Sequence, residues 1–312
     1  MSIKKIALMA CLLAPLLYAS ALTAAPARTW EYYLEKGRVQ FRAGMLDYAI
    51  FNLAQCLDAN PQCREAANLL ASIYIAKNKK LRAIDYYHRS LGIDEGQAEV
   101  HFALGELYEF FIERELAFRH YHRCVEIDPV HVRGHSSLVR FYLARNDAAS
   151  AKRHTGIALR LGRERYGAQL ARAEEARKKG KNRDALDIYE RVIADAPILD
   201  EAYIGHYDVC RGIGDYATAA KMLERLVFVR PDYHKTYMLL GDIYYNRKLP
   251  GPRKVRLDRA IHNLKMAVDL DPDNYEACLM LSEIFDSMGR EAQSAEWERR
   301  AREAEGRFRR GE

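Results

Sequence analysis

Six alanines, Ala49, Ala83, Ala117, Ala151, Ala185 and Ala219, follow one another at a constant interval of 34 residues. A fixed period of this length marks an array of helix–turn–helix units, each too small to bury its apolar face without a neighbour. With Trp30 as the first residue of the first repeat, further repeats begin at Arg64, Ala98, Val132, Tyr166 and Asp200 without slip. A seventh begins at His234, and its alanine, Ala260, comes 41 residues after Ala219, so seven residues are inserted there. An eighth, shorter repeat begins at Tyr275 and carries Ser294 where the alanine belongs.

Other positions keep the same beat. Position 8 is small in six of eight repeats (Gly37, Ala71, Gly105, Ala173, Gly241, Ser282), with Val139 and Tyr207 as exceptions. Position 11 carries Tyr74, Tyr108, Tyr142, Tyr244 and Phe285, and position 24 carries Leu53, Tyr87, Tyr121, Tyr189, Leu223 and Leu264. Position 32 is proline in five repeats: Pro61, Pro129, Pro197, Pro231 and Pro272. A small residue in the first helix and an alanine in the second let two backbones approach, ridge into groove, while large rings fill the remaining core. Proline ends the second helix and turns the chain into the next repeat.

This pattern resembles the tetratricopeptide repeat family over residues 30–305. The resemblance implies an all-α, right-handed solenoid of seven to eight repeats that binds other proteins, with the first (A) helix of each repeat lining a concave face at positions 2, 5, 9 and 12. It names no partner, because one fold hosts many.

Residues 1–25 read as a secretory signal: Lys4 and Lys5 open it, Ile6 to Leu17 are apolar, and Ala19 to Ala25 offer small-residue cleavage sites after Ala21 or Ala24. The expected location is the bacterial periplasm. Two alternatives are an uncleaved membrane anchor, interrupted by Pro15, and a lipoprotein processed at Cys11 in Leu8-Met9-Ala10-Cys11. The formal charge of +6 falls to +4 without Lys4 and Lys5. That is too mild for a nucleic-acid partner, and no aromatic–basic platform accompanies it. Five cysteines follow the leader. Cys56 and Cys124 at position 27, Cys210 at position 11 and Cys278 at position 4 fall on core positions, where cysteine serves as a small hydrophobe. Cys63 lies in a turn, and a Cys56–Cys63 bridge would span a helix end and that turn.

Mapped onto the concave face, position 5 reads Leu34, Asn68, Phe102, Ser136, Leu170, Ile204, Met238 and Leu279. Two readings stand side by side: burial under neighbouring helices, or an apolar floor for an extended or helical peptide. Position 9 ends in four acids, Glu174, Asp208, Asp242 and Glu283. Glu174 and Asp208 have Arg177 and Arg211 three residues on, whereas Asp242 and Glu283 have no base at that spacing. Here too two readings stand: an ordinary solvated face, or a half-groove that takes a basic partner segment. The lysine, arginine and asparagine ring with which one subclass holds a C-terminal carboxylate is absent: the corresponding positions include Leu34, Arg38, Leu69 and Glu99.

The insertion in repeat seven places Arg247, Lys248, Arg253, Lys254 and Arg256 around Pro250 and Pro252, at the expected turn between its helices. Such a loop is either a neutral length variant or a dock for an acidic partner or anionic head groups. Residues 306–312 form a basic tail, and Glu298 at the core position 24 suits a polar terminal cap. Repeat five departs most from its neighbours, with Arg172 and Ala176 at large-apolar positions, so thin packing is expected there, with either a hinge near Leu161–Gly167 or a polar but rigid joint. His101 and His135 share position 4 of adjacent repeats, with His131, His120 and His122 nearby in sequence; helix-boundary histidines are the expected reading, metal ligation the sharper one. No phosphate loop, nucleophile elbow or paired zinc-ligand cysteines appear, so neither an enzyme nor a cofactor is expected. The function that follows is an adaptor within a cell-envelope assembly or transport complex. The alternative is a carrier enclosing a hydrophobic small ligand.

Overall fold

The computed structural model describes residues 29–246 and 249–310, and these form fifteen helices with no strand. The chain divides into two compact bodies, one ending at Ile112 and one beginning at Glu113, inside repeat three. The first body contains α1 (Trp30–Arg42), α2 (Leu46–Ala59), α3 (Arg64–Ala76), α4 (Lys80–Ile93) and α5 (Ala98–Phe110). The second contains α6 (Arg114–Ile127), α7 (Val132–Ala144), α8 (Ala148–Lys178), α9 (Asn182–Asp195), α10 (Asp200–Ile213), α11 (Tyr216–Val229), α12 (His234–Asn246), α13 (Arg253–Leu270), α14 (Tyr275–Ser287) and α15 (Glu291–Arg310).

Repeat alanines and small position-8 residues do what their size requires. Ala49, Ala83, Ala117, Ala151, Ala185, Ala219 and Ala260 are all buried. A Cβ on Gly37 would lie 2.6 Å from Leu53 Cγ, and one on Gly241 2.5 Å from Leu264 Cγ, so the position-24 leucine fills the space that glycine leaves. Repeat six has Tyr207 at position 8, and its Gly205 makes a different approach, to the position-24 ring of the preceding repeat: an added Cβ would meet Tyr189 at 2.3 Å. Position 15 closes the turn between the two helices of a repeat in the left-handed region, at Gly44, Asn78, Ile112, Asn146, Gly180, Gly214 and Gly289. Charges staple the repeats at fixed offsets. Asp47 pairs with Lys77 at 2.8 Å, Glu115 with Arg145 at 2.8 Å, and Asp200 with Arg230 at 3.2 Å. Arg64 pairs with Asp94 in the same relation as Asp200 and Arg230, with the signs exchanged. Burial raises the Asp200 carboxyl above the usual carboxylate range in spite of Arg230.

Two elements depart from the expected array. The first is α8, which runs 31 residues without a break, about 46 Å at 1.5 Å per residue. It fuses the second helix of repeat four with the first of repeat five, so near Leu161–Gly167 continuous helix stands in place of a hinge. The reason is local. Elsewhere the repeat-to-repeat turn is made by a proline at position 32 or by an Asx turn at position 31, as where Asp94 Oδ1 accepts from the Gly96 N–H at 2.8 Å. Repeat four has Gly162 and Arg163 at these places, and neither stops a helix. Gly162 receives the Leu199 side chain, 3.0 Å from where its Cβ would stand, and the buried segment of Ala196, Ile198 and Leu199 packs onto α8. The same fusion lets α7 meet α11: Val139, Ala158 and Ile198 form a cluster with Val229, and Arg140 lies 4.2 Å over the Phe228 ring.

The second departure is α13. It has 18 residues where the second helices of repeats one, two, three, five and six have 14. Part of the insertion in repeat seven is therefore an extra turn at the start of α13, and only the remainder lengthens the loop. At the C-terminus, residues 306–310 of the expected tail continue α15, and Arg307 pairs with Asp273. Glu298 faces solvent and pairs with Arg302 at 2.5 Å, while Trp297, Ala301 and Ala304 take the core. Among the described residues no helix is long and apolar enough to cross a membrane. Residues 1–25, with Cys11, lie outside the described residues.

Candidate concave binding face

Positions 5 and 9 of an A helix lie one turn apart on the same face. In repeats five to eight these positions pair an apolar residue with an acid on each helix: Leu170 with Glu174, Ile204 with Asp208, Met238 with Asp242, and Leu279 with Glu283. All eight lie in the second body, on α8, α10, α12 and α14. Successive A helices touch there, α8 with α10 and α12 with α14. Leu170, Ile204 and Met238 are half-buried against the core, and Leu279 is 42 % exposed. In the first body Leu34 and Phe102 are only 7 % and 4 % exposed, and Ser136 of repeat four is likewise buried. The half-open apolar positions thus belong to repeats five to eight.

The acids differ in how their charge is met. Glu174 accepts two hydrogen bonds from Arg177, at 2.6 and 2.8 Å, and one from the Tyr189 hydroxyl at 3.4 Å. The guanidinium holds the Glu174 carboxyl below its ordinary range, and burial beside it pushes Tyr189 up to about 12. Asp208 sits 3.4 Å from Arg211. Asp242 accepts from the neutral Asn246 amide at 2.8 Å, and Glu283 is exposed without an ion pair among the described residues. Among the described residues the acids of the row without an ion pair are therefore those of repeats seven and eight. The i,i+3 arginines were legible from spacing; the Tyr189 hydroxyl was not, because it reaches Glu174 from the second helix.

Of the basic insertion, Arg247 and Lys248 lie outside the described residues. Arg253, Lys254 and Arg256 form the first turn of α13 rather than a loop. Arg253 and Lys254 line a cleft of about 360 Å³ with Leu257, Asp258, Met288 and Arg290. A second cleft of about 360 Å³ lies in repeat five, bordered by Arg172, Glu175, Ala176, Lys179, Asp184 and Arg191. Charged side chains dominate both linings.

The histidines disperse into structural tasks. His131 Nδ1 caps α7 by accepting from the Gly134 N–H at 2.9 Å. His135 meets a residue that the sequence did not single out, His154, with their Nδ1 atoms 2.8 Å apart, and its Nε2 lies 3.0 Å from the Pro129 carbonyl. Burial, then the neighbouring His135, pushes His154 down to about 4, so the pair is neutral at physiological pH. Tyr142 stacks on His154 at 5.1 Å. Among the described residues no three His, Cys, Asp or Glu side chains gather as a metal site.

No curated protein sequence matches the chain. Solved structures similar to it include MamA, 23 % identical over 48 % of this chain and 87 % of that one, with a TM-score of 0.42. A tetratricopeptide repeat protein from Parabacteroides merdae is 19 % identical over 82 % of this chain and 98 % of that one, with a TM-score of 0.43. Pseudomonas aeruginosa PilF is 11 % identical over 86 % and 88 %, with a TM-score of 0.30. The family model for the tetratricopeptide repeat matches residues 34–98, 211–250 and 255–307, together just over half of the sequence. With helix pairs and position-15 turns following the repeat, the chain belongs to the tetratricopeptide repeat family.

Proposed function

We propose that this protein is an exported scaffold whose A helices in repeats five to eight hold a basic, amphipathic segment of a partner within a cell-envelope assembly or transport complex. The family is one of protein-binding scaffolds. The observation that carries the finer reading is the coincidence, on each of four helices, of a half-open apolar residue with an acid one turn later. A helix or strand laid along this face would place apolar side chains over Leu170, Ile204, Met238 and Leu279 and basic ones over the acids. Among the described residues Asp242 and Glu283 have no ion pair, so a partner lysine or arginine would meet them without displacing one. Export is read from the leader at residues 1–25 alone.

The test uses a fluorescein-labelled helical peptide with leucines on one face and lysines flanking it, and its lysine-to-glutamate counterpart. Fluorescence anisotropy should show binding of the basic peptide only, weakening with added salt. The D242K/E283K double variant should lose about tenfold or more, in line with charge pairs across a partly desolvated face. Unchanged affinity in that variant would sink the acidic-groove reading. Native cross-linking in the cell envelope, followed by mass spectrometry, identifies the partner and checks the location.

A further inference from the structure

In repeats two, five and six, positions 27 and 34 meet where the second helix hands over to the next repeat. In repeat two Gln97 Nε2 donates to Ser90 Oγ at 3.0 Å. In repeat five Val192 and Leu199 share one core cluster, and in repeat six Leu226 and Tyr233 do so. In repeat one the same two positions are Cys56 and Cys63. The turn that joins them is closed by Asn60 N–H donating to Cys56 O at 2.8 Å and Cys63 N–H donating to Asn60 O at 3.0 Å. Both thiols are buried, at 0 % and 5 % exposure, in one cluster. Both are free thiols in this structure.

We infer that Cys56 and Cys63 are the two halves of an intrachain disulfide that ties the end of α2 to the start of α3. Formation is thiol–disulfide exchange with a small disulfide or a disulfide-bearing oxidant protein. One cysteine thiolate attacks the oxidant disulfide, giving a mixed disulfide and releasing one thiol. The second cysteine then attacks its partner's sulfur and releases the other. Two protons leave the cysteines, and the two electrons reduce the oxidant to two thiols. Burial, with Cys63 beside it, pushes the Cys56 thiol up to about 12, so exchange belongs to the folding chain, before the joint closes. The remaining described cysteines, Cys124, Cys210 and Cys278, are buried with no second thiol at the facing position. They serve as internal controls.

The full chain, reduced and unfolded, is refolded in a glutathione/glutathione-disulfide buffer, quenched with N-ethylmaleimide and digested with trypsin. One tryptic peptide, 43–64, carries both cysteines. It should appear lighter by two hydrogens and unlabelled, while peptides containing Cys124, Cys210 and Cys278 carry maleimide. Closing so short a loop should raise the melting temperature of the oxidised protein by about 5 °C over the reduced one. C63S should abolish that difference while keeping its fold, because serine is a good N-cap and repeat two already buries Ser90 at the position facing it. A peptide bearing two maleimides, or glutathione on Cys63 alone, overturns the inference. So does consumption of the control cysteines in its place.

Discussion

Ile112 is held at φ +65° with its side chain 77 % exposed. Every other position-15 residue with this backbone is glycine or asparagine, the two types that tolerate it. A β-branched residue there costs the fold about 1–2 kcal/mol. Ile112→Asn, copying Asn78 and Asn146, should therefore stabilise the protein by about 1 kcal/mol. The urea midpoint should rise at constant m-value, and an unchanged or lower midpoint would mean that the isoleucine makes contacts worth as much as its strain. The alanines at position 20 were legible because only one size fits a helix crossing, and all are buried. Position 15 was equally open to reading, since six of its seven described residues are glycine or asparagine. Leu34 and Phe102 were not separable from Leu279 by sequence, because their exposure depends on how closely the next helix covers them.

At the scale of elements, α8 shows what a repeat period does and does not determine. The period fixes which residues face the core, and this survives through repeats four and five: Ala158, Tyr166 and Ala173 are buried in register. It does not by itself break the backbone. A break needs a residue that cannot continue a helix or a side chain that competes for its N–H groups, and Gly162-Arg163 supplies neither. The absence was visible in the sequence as the one described junction lacking both proline and Asx. Restoring the common pattern should be harmful here. Arg163→Pro removes a helical hydrogen bond and breaks the Arg163–Glu201 pair, which spans 2.5 Å. A loss of about 3 kcal/mol or more in urea unfolding is expected. A loss under about 1 kcal/mol would indicate that the chain already turns at this point.

At the scale of the whole molecule, the family pattern is strong at both ends and silent over residues 99–210, the stretch that contains the fused helix. In a solenoid, stability is close to a sum of repeat and nearest-neighbour terms, so regions open in steps rather than together. A helix shared by two repeats changes that arithmetic locally. Residues 148–161 and 167–178 cannot fray from each other without breaking the helix between them, so α8 joins repeats four and five into one opening unit. Native-state hydrogen exchange should give amides in both halves of α8 the same opening free energy and the same denaturant dependence. Amides of α1 and α15, which among the described residues pack mainly against one neighbouring helix each, should open at lower free energy. Halves of α8 that differ by more than about 1 kcal/mol would show two independent repeats meeting end to end. Equal values would make repeats four and five a single rigid stretch from which the acidic A-helix face of repeats five to eight is presented.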